Sequence, residues 1–162
     1  MVISHKDSSM ISKVRNCRYI LEQWIPTPAE LNLSLPEDKE ECKIAEAINL
    51  AKFGSKDWYD WRIKHWGVKW DPEIDHIEEI SENEIQIHFQ SAWAPPIDGL
   101  NTLHEKFGFE IDIIYNESGT CFCGEWENGV GKEYQYDSNN LKHLPDRIDE
   151  SFCISQFYDE NF

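Results

Sequence analysis

Four tryptophans, Trp58, Trp61, Trp66 and Trp70, fall within thirteen residues, and Arg62, Lys64 and Lys69 stand between them. Aromatic rings beside cations can stack a planar ligand or base and hold an anion. They can also anchor a protein interface. The bland alternative is that the rings pack a helix onto a sheet while the cations lie along apolar surface with their charged ends in water. A fifth ring, Trp93, sits in FQSAWAPP, where a strand-like run meets two prolines. Strand alternation carries Phe89, Ser91 and Trp93 to one side, so Trp93 is expected to close a corner of the core under the helix that the prolines launch. Trp58, Trp61, Arg62, Trp66, Lys69, Trp70 and Trp93 form the candidate ligand- or partner-binding set.

Other reactive residues carry less. Cys121 and Cys123 share one strand face, with His76, His88 and Asp112 on other expected strands. A metal site needs roughly four well-placed ligands, and no spacing here supplies them. Two thiols buried as small hydrophobes is the simpler reading, and a disulfide within Cys-x-Cys is geometrically poor. Glu78/Glu79, Glu110/Asp112 and Glu125/Glu127 could serve as acid and base. Among thirty-one acids, however, such pairs arise by chance. No nucleophile elbow, phosphate-binding glycine loop or His–Glu metal motif is present. His65, His104 and His143 read as ordinary helix residues. No catalytic residue, metal or cofactor is expected, and the protein is read as a non-enzyme.

The surroundings of these residues are strongly acidic. The 162-residue chain has a formal charge of -16. Residues 1–36 contribute +1 and residues 37–162 contribute -17, so the acidity belongs to the folded part. Such a surface repels phosphate backbones and anionic membranes and favours basic partners. Five cysteines, an odd number, with no apolar signal core and no run near the ~20 residues of a membrane span, point to free thiols in a reducing cytoplasm.

The elements that must position the candidate set follow from periodicity. Residues 1–16 are polar and read as a flexible segment. Residues 17–25 read as a strand, 26–37 as an irregular connection and 37–54 as a helix ending at Gly54. A short helix over 55–67 restarts at Ser55 as N-cap and stops at Gly67. Residues 74–80 and 84–93 form a hairpin, with Ile85, Ile87 and Phe89 on its core face. A helix over 95–108 follows, then strands at 109–117, 121–128 and 131–137, the last two joined by a tight turn at NGVG. Residues 138–162 read as an acidic tail or a docked short helix. Residues 17–137 then form one α+β domain: a ferredoxin-like βαββαβ sandwich with an antiparallel sheet, helices on one face and a C-terminal hairpin extension.

IPTPAEL, WYDWRIKHWGVKW, FQSAWAPP and CFCGEWENG occur in that order between Tyr19 and Tyr136. In these strings the chain resembles the YubB-type ferredoxin-like domains of phages, plasmids and other mobile elements. The resemblance implies the fold and a mobile-element setting, but no catalytic residue. It departs at Cys121 and Cys123, where the pattern has small or apolar residues, and at Val68, where it often has Thr. Three functions remain open. The chain can be a non-catalytic accessory protein that binds a host or phage protein. It can be an acidic DNA mimic that occupies a basic nucleic-acid-binding host protein. Or it can bind a small molecule or nucleotide at the tryptophan–lysine island.

Overall fold

The computed structural model describes residues 1–161. Its shortest strand lies in the middle of the sheet. β1 (Val2–Ser4) pairs antiparallel with β3 (Glu84–Gln90) on one side and β4 (Glu110–Glu117) on the other. The residues expected to be flexible at the N-terminus therefore supply a central strand. Ile3 stands opposite both Ile85 and Ile111, and all three are buried. α1 (Ser8–Arg15) follows, capped by the Asp7 side chain accepting from the Ser9 N–H at 2.9 Å. It buries Ile11 and Val14, three residues apart on one face. The segment looks polar because only these few residues face inward, yet each is fully committed.

The strand expected over 17–25 is not formed. That segment is a run of turns, with Ile20 and Leu21 buried and one bridge from Tyr19 to Glu73. The Asp71 carboxylate accepts from the backbone N–H groups of Leu21 and Glu22, giving the turns the partners that a strand would have supplied. Burial pushes the Asp71 carboxyl up from its ordinary value, against these hydrogen bonds.

α2 (Lys39–Phe53) runs between an Asp38 cap and Gly54 in left-handed conformation, and buries none of its residues. α3 (Trp58–Trp66) is capped by Asp57 rather than Ser55. Ser55 is instead a buried residue of the preceding turn. β2 (Glu73–Ser81) and β3 form the hairpin, and α4 (Ile97–Phe107) starts after Pro96 and ends at left-handed Gly108. β5 (Phe122–Glu127) and β6 (Val130–Gln135) complete an antiparallel sheet of order β2-β3-β1-β4-β5-β6.

The two faces of this sheet differ. Ile3, Ile85, Ile87, Ile111, Ile113 and Trp126 point to the main core, with Leu100 and Leu103 of α4 and the buried rings of α3. Helices were expected on this face alone. α5 (Asp146–Phe152) and α6 (Ile154–Asn161) instead cover the opposite face. Alternation explains it: Ile114, Cys123, Tyr134 and Tyr136 emerge on that side, and Leu144, Ile148 and Ile154 form a second core with Cys123 and Tyr136, against which Ile114 and Tyr134 pack half-buried. Arg147 reaches across to Asp112, Nη2 to Oδ1 at 2.6 Å. The C-terminal stretch is thus docked as two short helices; Phe162, the end of the expected tail, lies outside the described residues.

Candidate functional site

The tryptophan set divides into an inner and an outer group. On α3, Trp61 stands four residues before His65 and Trp66 four after Arg62, and both rings turn into the core. Trp66 is 0% exposed and its Nε1–H donates to the Ile25 carbonyl at 3.0 Å. Trp61 meets it edge-on, with ring centroids 6.1 Å apart. Arg62 lies between Trp58 and Trp66, its guanidinium carbon 5.2 Å and 4.7 Å from their rings. Its Nε–H donates to Thr27 Oγ1 at 2.9 Å, and Glu22 stands 3.7 Å away. That cation is consumed by holding the PTPAE connection against α3. His65 stacks on Trp61 at 4.3 Å. Burial, and then the charges of Lys64 and Lys106, hold its pKa below the ordinary value.

Lys69, Trp70 and Trp93 form the outer group. Trp70 is 58% exposed and Trp93 77% exposed. Lys69 Nζ lies 4.1 Å from the Trp70 ring centroid and 5.9 Å from that of Trp93. The expectation that Trp93 closes a corner of the core is therefore corrected. β3 ends at Gln90, so strand alternation no longer governs where Trp93 points. Its backbone is left-handed, with φ of 70°, which swings the ring outward. Such a conformation is unusual for a bulky residue.

Trp93 stands on the rim of a cleft of about 560 Å³. The cleft opens between the C-terminal ends of β3 and β4. Met1 lies at its inner end, and Ser151 and Phe152 of α5 line it from the other face of the sheet. Among the described residues its lining holds no Lys or Arg, but it has Asp75 and Glu117. The Glu117 carboxylate accepts from the Thr120 hydroxyl and the backbone N–H groups of Thr120 and Gly119, which lower its pKa and keep it anionic. Among the described residues, the Ser91 hydroxyl is buried in this region without a hydrogen-bond partner. Sequence reasoning did not find Ser91, Tyr115 or Phe152. The break in alternation at Ala92-Trp93-Ala94 before two prolines was the available signal for the rim.

The remaining candidates have structural partners. Cys123 is buried in the second core, and burial raises its pKa to about 11. Cys121 Sγ lies 3.6 Å from Tyr158 Oη. All five cysteines are free. Among the described residues, no group of three or more His, Cys, Asp or Glu is placed to hold a metal ion. Of the carboxylate pairs, Asp112 and Glu125 both face Arg147, and Glu79 pairs with Arg15. His88 Nε2 meets Glu78 Oε1 at 3.1 Å on the solvated face of the hairpin. No helix among the described residues is long and apolar enough to cross a membrane.

No curated protein and no solved structure matches the chain. A family described as the ferredoxin-like domain in Api92-like protein matches residues 65–157, more than half of the chain. The match begins within α3 and runs through β2 to β6 and α5 into the first turn of α6, so α5 and the start of α6 lie inside it while β1 and α1 lie outside. The chain belongs to this family of ferredoxin-like domains.

Proposed function

We propose that the protein is a non-catalytic, cytoplasmic interaction protein of a phage or other mobile element, and that it grips a protein partner through Trp93, Trp70 and Lys69 at the mouth of the cleft. The resemblance of its aromatic-rich strings to YubB-type domains supports the mobile-element part of this reading. One observation carries the binding surface: a tryptophan 77% exposed on a left-handed backbone, beside a second exposed indole and a shared lysine. Exposed tryptophans are typical interface anchors. A basic partner, including a nucleic-acid-handling protein, suits the net charge of -16.

The test is a pull-down from host lysate with the wild type and with Trp93→Ala/Trp70→Ala, eluted by a salt gradient. A defined partner retained by the wild type and lost from the double variant, at unchanged melting temperature, is the expected result. Equal retention by both proteins overturns the assignment of the surface. If a nucleotide binds the wild type and not the variant while no protein is retained, the rim is a ligand site instead.

A further inference from the structure

The ladder around β1 continues further than β1 does. Met1 and Ile87 exchange backbone hydrogen bonds, with Met1 N to Ile87 O at 2.9 Å and Ile87 N to Met1 O at 2.7 Å. In an antiparallel pair, alternate residues turn both backbone groups to the same neighbour. Phe89, two residues beyond Ile87, therefore turns its N–H and C=O to the side where β1 lies. On the other flank Val2 stands opposite Asp112, while Ile111 bonds away toward Asn128. Ile114 and Asn116 consequently turn their backbone groups toward the same strip. β3 and β4 both border β1, so they stand about two strand spacings apart, roughly 9.5 Å. Past Met1 this strip is the cleft described above.

We propose that the cleft accepts an extended segment of the partner protein as an inserted strand, in line with β1 and antiparallel to both β3 and β4. The proposal rests on the interaction reading above and names how the partner is held. Four residues fill the strip. The register continues from Val2↔Gln86 and Val2↔Asp112. The inserted residue nearest Met1 lies between His88 and Ile114. The next lies between Phe89 and Tyr115, the third between Gln90 and Asn116, and the fourth between Ser91 and Glu117. Backbone groups of the second and fourth face β3, and the fourth lies beside the buried Ser91 hydroxyl, which has no partner among the described residues. Its side chain shares a sheet face with Glu117, which stays anionic, so a lysine or arginine fits there. The first two positions, between Ile114 and Phe89 and close to Phe152, take apolar residues. Proline is excluded, because each position must donate or pack within a ladder. The occupant is thus a cationic-then-apolar strand, added by main-chain hydrogen bonds and read by alternate side chains. Unlike edge addition, insertion satisfies both flanks at once.

The probe is the capped peptide acetyl-Lys-Thr-Val-Val-amide, titrated into the full chain while backbone amide exchange is followed by NMR. At saturation the amides of Phe89, Ile114 and Asn116 are expected to exchange about tenfold more slowly or less often still. A peptide N-methylated at both valines is expected to lose the effect. If millimolar peptide leaves these three amides unprotected, the strand proposal is overturned. Perturbation confined to the Trp70 and Trp93 indoles would also overturn it, and would leave the rim assignment standing. Protection of the three amides that is indifferent to Trp93→Ala would support the inserted strand and remove the rim from the mechanism.

Discussion

Trp66 and Trp93 are the same residue on opposite terms with the fold. Trp66 gives its whole surface and its indole N–H to the interior. Trp93 gives the interior almost nothing. Residue type does not separate them; backbone register does. A regular helix fixes Trp66 toward the sheet, while a left-handed residue between a finished strand and two prolines turns Trp93 away. Aromatic-rich strings can thus supply both core and surface, and only the local chain geometry says which ring belongs to which.

The largest effect that tests this contrast is on stability. Trp66→Ala removes a fully buried ring and leaves the Ile25 carbonyl without its donor, so it should cost about 3–5 kcal/mol in urea denaturation. Trp93→Ala should stay within about 0.5 kcal/mol of wild type. Similar costs for the two would break the comparison. Next is Gly99→Ala on α4. A Cβ there would lie 2.7 Å from Leu21 Cδ2, so Leu21 and the turns around it must shift. A loss of about 1–3 kcal/mol is expected from this overpacking. It would sharpen the inner side by showing that the 17–25 segment is part of the core.

A smaller effect comes from His65 on the inner side. Its folded pKa is lowered, so the unfolded chain takes up the proton first as pH falls. Stability should therefore drop below the ordinary histidine value, and His65→Gln should flatten that part of the profile. A wild-type profile identical to the variant's between pH 7.5 and 5.5 would contradict the half-buried stack on Trp61. The smallest effect is chemical. Cys153 is exposed, whereas Cys123 is buried with its pKa raised to about 11. A thiol reagent at pH 7.5 should label Cys153 first and Cys123 only on unfolding. Early labelling of Cys123 would mean that the second core opens readily.

Much of the frame could be read from pattern alone. The hairpin at Ile85, Ile87 and Phe89, the helix stripe at Leu100 and Leu103, and the glycine stops at Gly54, Gly67 and Gly108 are local signals, and local physics decides them. What failed depended on distant partners. Val2–Ser4 is too short for any periodicity to register, and it is a strand because two longer strands flank it. CRYILEQWI has strand composition, but the Asp71 carboxylate offers its backbone a different set of bonds. The C-terminal helices are short and acidic, and they dock because alternation on β4 to β6 leaves an apolar second face to be covered. The site followed the same rule. The rings were visible in the sequence, while the cleft beside Trp93 exists only because strands far apart in the chain run side by side.

The three-residue central strand also sets the order in which the protein can fold. Ile3 must meet Ile85 and Ile111, which are made far later. At about 5–20 residues per second, the first strand waits roughly 5–20 s on the ribosome for its second neighbour. Until it inserts, β3 and β4 cannot be joined and the sheet remains in two halves. The long-range closure makes a slow, late step the expected one for this topology. From the synthesis of β4 until β1 inserts, the inward edges of β3 and β4 are open to any extended chain nearby, so the same seam that orders the native sheet is its point of greatest exposure to misassembly.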